Sequence, residues 1–229
     1  MKLEATLIIL VFFLVLGLLV TVSRCRRLAR AEYIRNYSLP AGLLDRLAKR
    51  RPALELKDRA LVAHALRQYF LAYLHSGKRF VSMPSQVADD LWHEFILYTR
   101  NYQQFCNKAF GGYFHHTPAV ALGAERRNNA GLRRTWWHCC REENIHPHRP
   151  SRLPLLFALD TKLGIADGFR YAPDCASLRN GGDGAIYCGG DFSSGEFGFA
   201  DSGCGGGGFD FGSDACDSSG CGGGCGGGD

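Results

Sequence analysis

After Arg179 the chain contains no lysine or arginine, so its cationic surface belongs entirely to the residues before that point. No Walker-type, G-x-S-x-G or H-E-x-x-H pattern occurs anywhere, which removes phosphate-loop, hydrolase-elbow and zincin readings. The tail glycines satisfy G-x-G-x-x-G by composition only, with no strand expected before them and no helix after, so they are no dinucleotide loop. No C-x-x-C pair occurs either, so the ten cysteines do not form an ordinary zinc ribbon. Period-two alternation is never sustained, which excludes a sandwich or barrel. Between Ala5 and Val22 there is no charge at all.

That last gap carries the most information. Eighteen residues, mostly Leu, Ile, Val and Phe, span about 27 Å as a helix, close to the roughly 30 Å of a bilayer core. A cleaved signal peptide would need a small-residue cleavage site. The run instead passes directly into Ser23-Arg24-Cys25-Arg26-Arg27, with Arg30 close behind. Arginines resist translocation, so the expected topology is single-pass, N-terminus outside and body in the cytoplasm. The Gly/Cys-rich end resembles tails of assorted bacterial membrane proteins, which makes a bacterial inner membrane the expected location. Thiols facing the cytoplasm stay reduced, and structural disulfides are not expected. The bilayer is the first expected partner, through anionic headgroups at Arg24, Arg26, Arg27 and Arg30. The charge lacks interleaved aromatics or a nucleic-acid motif, so no nucleic acid is expected.

The 27 cations face 14 acids up to residue 180, a balance of about +13, whereas residues 181–229 carry eight acids. Four segments follow: an anchor over 1–23, a basic stalk over 24–40, a helical domain over 41–178 and a tail over 179–229. Twenty of the last 49 residues are glycine, too few apolar groups to offset ordering entropy, so the tail is expected to be disordered. Phe192, Phe197, Phe199, Phe209 and Phe211 suit weak multivalent contacts or self-association. Cys204, Cys216, Cys221 and Cys225 leave a thiol- or metal-handling role open.

The fold class is all-α. The pattern predicts helices over Ala41–Lys49, Asp58–Leu74, from Ser82 or Ser85 onward, Val120–Glu143 weakened at Gly131, and Leu153–Leu163.

The densest chemistry is Asp89-Asp90-Leu91-Trp92-His93. Asp89 and His93 are four apart on one helix face. A carboxylate and an imidazole so placed can form half a divalent-metal site, zinc for instance. They can equally form a carboxylate-oriented base, or simply hydrogen-bond one another beside a core Trp92. His115 or His116 joins them only if the helix ends early and the chain doubles back; otherwise these two histidines satisfy carbonyls in a packed loop. Cys106 lies about 20 Å beyond His93 on an unbroken helix, out of reach of a shared ion. Cys139 and Cys140, about 100° apart on a helix, suit two buried small hydrophobes better than a chelating or redox pair.

Asp89, Trp92, His93, Tyr102, Cys106, Gly112, His115 and His116 together resemble the glycine-rich domain-containing protein-like family, marked by an Asp-x-x-Trp-His helix start. The resemblance covers roughly residues 40–175, including Leu153-Pro154-Leu155-Leu156-Phe157 and Asp160. It implies an all-helical domain and no particular reaction. It also implies a break near Tyr98-Thr99, where relatives carry a His-Pro, and such a break lets Thr99 cap a second short helix, Arg100–Lys108. The leading functional reading is a membrane-tethered binding or scaffold module. The alternative is a metal-dependent, hydrolytic enzyme using Asp89, His93 and His115 or His116.

Overall fold

The computed structural model describes residues 2–116, 130–173, 187–188 and 192. The chain divides into two units, Met1–Gly195 and Glu196–Asp229, and all the described residues lie in the first. Cys204, Cys216, Cys221 and Cys225 and four of the five tail phenylalanines, with the expected helical stretch 120–129, therefore lie outside the described residues.

Seven helices dominate: α1 Lys2–Arg35, α2 Leu43–Arg50, α3 Leu56–His75, α4 Gln86–Leu97, α5 Thr99–Phe110, α6 Ala130–Glu142 and α7 Leu155–Lys162. The all-α reading is thus correct. Among the described residues the one strand pairing is a two-residue parallel contact of β1 (Tyr171–Ala172) with β2 (Tyr187–Cys188).

α3 is the axis of the domain, packed by α1, α2, α4, α6 and α7. Its sequence explains the position. Val62, Ala63, Ala65, Leu66, Tyr69, Phe70, Leu71, Ala72 and Leu74 are all buried, and together they cover nearly every side of the helix. A helix apolar all round is stable only when surrounded. The reciprocal capping box of Glu55 and Asp58 starts it.

α1 behaves as two halves. From Leu7 to Val22 its large apolar side chains are exposed, and the helix is long and apolar enough to cross a membrane. Where the sequence suggested a separate stalk, the helix continues unbroken to Arg35 and buries Ala31 and Ile34 in the domain core. The exposed apolar half and the domain therefore share one helix. At the other end, Phe192, expected in the tail, is buried against Trp136, Phe157 and Tyr171.

The break near Tyr98 falls where expected, but Thr99 is the first residue of α5 rather than its cap: Tyr98 holds the N-cap position and makes no side-chain capping bond. α4 ends at Leu97, and the Tyr98 N–H closes a tighter turn on the Phe95 carbonyl. α5 then runs two residues further than predicted, to Phe110. It stops at Gly111, whose φ of 75° is left-handed and costs glycine little.

Candidate metal centre

Three consequences of this local folding assemble the site. The first fixes the start of α4. Ser85 accepts the Ala88 N–H at 3.2 Å as an ordinary N-cap. Behind it stands Asp160 of α7, 2% exposed, whose carboxylate accepts the Ser85 hydroxyl at 2.7 Å and the Gln86 and Val87 N–H groups at 2.7 and 3.2 Å. A negative charge at a helix N-terminus also complements the macrodipole. Phe169 N–H donates to the same carboxylate at 2.9 Å. Gly168 permits that contact, since a Cβ there would stand 2.6 Å from the Asp160 Cβ.

The second is the return of the chain. After Gly111, residues 113–116 run without helix, with Phe114 buried between exposed Tyr113 and exposed His115. The Trp92 indole N–H donates to the Tyr102 hydroxyl at 3.0 Å, and that hydroxyl donates to the Phe114 carbonyl at 2.6 Å. A backbone hydrogen bond from Phe114 reaches the Cys106 thiol. The Phe114 ring stacks on Tyr73 (centroids 3.8 Å apart, planes 10° from parallel) and on Trp92 at 5.0 Å. Phe114 is held on both its peptide and its ring.

The third is the convergence itself. One residue beyond Phe114 in this alternating segment, His115 faces outward; two beyond, His116 faces inward. His116 Nε2 lies 2.9 Å from Asp89 Oδ1, and His93 Nδ1 lies 3.6 Å from Asp89 Oδ2. One donor atom from each of these three residues falls within 4.8 Å of the others. The rings of His93 and His116 are 4.2 Å apart, and Trp92 meets His116 edge-on at 4.5 Å. Asp89 and His116 side chains are 16% and 11% exposed, while that of His93 is 41% exposed. The arrangement is a small polar cup with one open side.

Of the four residues the sequence singled out, Asp89, His93 and His116 come together. His115 instead packs its ring against Tyr113 at 4.8 Å. Cys106 lines no site: burial raises its pKa, leaving a neutral thiol whose part is to hold Phe114. Cys139 and Cys140 are also buried and free, and burial pushes Cys140 up to about 12 and Cys139 well above its ordinary value. They are small core residues, as their spacing suggested.

Sequence reasoning missed Asp160 as the cap of α4. It also missed the pairing of Asp90, 0% exposed, with Arg50 at 2.9 Å and Arg51 at 2.7 Å. Arg51 also clamps Asp167 and holds that carboxyl below its usual range. The adjacent Arg50-Arg51 facing an Asp-Asp pair was the available signal. Asp90, beside the site residue Asp89, thus binds the base of α4 to α2 and to the segment after α7.

A family model described as UCP032817-like matches residues 29–192. The chain belongs to the UCP032817-like family. The match starts inside α1, just before buried Ala31, and ends at buried Phe192, so it spans the same folded body that packing defines. It includes every residue of the three-ligand cup. The family's description names no reaction and differs from the family name suggested by the Asp-x-x-Trp-His motif. No curated protein and no solved structure matches the chain.

Proposed function

We propose that this protein is a membrane-tethered binding module whose domain holds a divalent transition metal, zinc in the first instance, through Asp89, His93 and His116. The single observation that carries the reading is the approach of His116 to Asp89, opposite His93. Two imidazole nitrogens and one carboxylate oxygen form a donor set that suits zinc. Ligands at about 2.0–2.1 Å in a tetrahedron stand about 3.4 Å from one another. Asp89 meets His116 at 2.9 Å through Oδ1 and His93 at 3.6 Å through Oδ2, and one donor atom from each of the three residues lies within 4.8 Å of the others, so side-chain rotation would bring one oxygen and both nitrogens to that spacing. Asp89, His93 and His116 are the ligands, and Trp92, Tyr102 and Cys106 are their supports.

The tether is the exposed apolar half of α1. Arg24, Arg26, Arg27 and Arg30 favour the body on the cytoplasmic face. One exposed helix of this size would otherwise present a large apolar patch to water.

A second reading, hydrolysis, is favoured by the open side of the cup. Among the described residues no fourth His, Cys, Asp or Glu joins the group, and His93 faces solvent. Three protein ligands and one water is the pattern of catalytic zinc, whose bound water ionises near neutral pH.

Competition titration of the full-length chain with zinc tests the metal reading. It should give one tight site that His93→Ala weakens by tenfold or more, as loss of a ligand requires. Zinc-dependent cleavage of a p-nitrophenyl ester or phosphate, lost in the same variant, would add the hydrolytic role. Zinc binding without such cleavage would leave a binding module.

A further inference from the structure

Residues of α1, α3 and α6 line a pocket apart from Asp89, His93 and His116. It has a volume of about 360 Å³ and is lined by Arg27, His75, His138, Arg141 and Glu142. Its charge is unbalanced. Glu142 is occupied by Arg35, which grips both its oxygens at 2.9 and 3.0 Å. Arg27 donates to the His75 carbonyl at 2.6 Å, which orients it without neutralising it. Arg141 forms no ion pair among the described residues. Two guanidinium groups thus flank two imidazoles whose rings are 6.2 Å apart. Burial and the neighbouring arginines keep His75 and His138 neutral, so they offer hydrogen bonds without needing a counterion.

Its position along α1 is as informative as its charge. Arg27 stands five residues past Val22, the end of the apolar run, which is about 7.5 Å along the helix axis and at headgroup depth for a spanning helix. A groove lined by Leu19, Val20, Ser23, Arg24 and Arg27 adjoins it, sharing Arg27. Apolar wall thus leads into cationic pocket in the direction from acyl chain to headgroup.

We propose that this pocket binds phosphate, and that the phosphate is that of an anionic phospholipid whose chain lies along the Leu19–Val20 groove. The inference rests on the membrane tether only for the source of the phosphate, and it is independent of the metal centre. It differs from general attraction of a basic stalk to lipid, because Arg141 and His138 come from α6, more than a hundred residues from the stalk arginines. Lipid bound there would join α1 to α6 and set how the domain sits against the bilayer.

The test uses the full-length chain in vesicles of phosphatidylcholine alone and with increasing phosphatidylglycerol. Flotation with the neutral vesicles reads the tether by itself. The site is read by the phosphatidylglycerol fraction that half-maximally raises the thermal midpoint. Arg141→Gln, an exposed change that leaves the core untouched, should raise that fraction about fivefold, and Arg27→Gln similarly. Arg26→Gln, which removes an equal stalk charge outside the pocket, should leave it within about twofold. Stabilisation by inorganic phosphate in neutral vesicles that phosphatidylglycerol does not exceed would support the anion site and assign it a soluble ligand. Equal behaviour of Arg141→Gln and wild type, or absence of any effect of phosphate or phosphatidylglycerol, would overturn the proposal even if flotation succeeds.

Discussion

His116 Nε2 lies 2.9 Å from Asp89 Oδ1, although they are 27 residues apart in the chain with all of α5 between them. The contact exists because Phe114, two residues earlier, is fastened to α5 by Tyr102 and Cys106 and stacked on Tyr73 of α3. Loop geometry at the site is therefore set by side chains that touch none of the ligand atoms.

Tyr102→Phe tests this fastening. The change keeps the ring and removes the hydroxyl that links Trp92 to the Phe114 carbonyl, leaving two buried polar groups unpaired. The expected cost is about 1–3 kcal/mol in denaturant unfolding. Zinc affinity should fall along with stability, even at temperatures where the variant is fully folded. Unchanged affinity in the folded variant would show that His116 is placed by something else.

Asp160→Asn should loosen the start of α4. The buried carboxylate accepts four hydrogen bonds, two of them from the first turn of the helix that carries Asp89 and His93. Loss of its charge at the helix N-terminus should cost about 1–3 kcal/mol. Gly168→Ala should act in the same direction, because its Cβ would press on Asp160. Hydrogen exchange at Gln86 and Val87 should rise in both variants.

Acid should destabilise the fold through His138. Its pKa is lowered from 6.5 to about 4, first by burial and then by His75, Arg27 and Arg141. Between those two values the unfolded chain holds a proton that the folded chain lacks. Stability is therefore full above about pH 6.5, falls as pH drops, and ceases to fall on this account below about pH 4; up to about 3 kcal/mol is involved. His75 shifts in the same direction and adds to the slope. His138→Gln should flatten the dependence of the thermal midpoint on pH over that range.

Thiol labelling should separate the cysteines by burial. Cys106, Cys139 and Cys140 are buried with raised pKa values, and a protonated, covered thiol is a poor nucleophile. Peptide mapping after maleimide treatment of the native chain should find Cys25, which is exposed, labelled. The three core cysteines should react only after denaturation.

Local pattern made much of this legible from sequence. Asp89 and His93 share a helix face by spacing alone, whereas the halt at Tyr98 is implied by the family resemblance and not by periodicity. The exposed half of α1 was evident from its missing charges. Non-local facts were hidden for physical reasons. Asp160 reaches α4 from more than seventy residues away, and nothing in its own segment marks it as a cap. The choice of His116 over His115 depends on which of two neighbours in an extended segment points inward. That is decided by the anchoring of Phe114, which carries no periodic signal. The burial of Ala31 and Ile34 was concealed among arginines that face outward along the same helix. Phe192, in a glycine-rich setting, gave no hint that Trp136 and Phe157 would cover it.

Metal analysis of the purified full-length chain, with His116→Ala set beside His115→Ala, bears most directly on the central claim. These variants differ only in which neighbour is removed, so tail cysteines contribute equally to both. Wild type and His115→Ala should retain about one zinc per chain after dialysis, and His116→Ala should lose it. Wild type without stoichiometric metal, or His116→Ala retaining as much as His115→Ala, would contradict the assignment of Asp89, His93 and His116 as a metal centre.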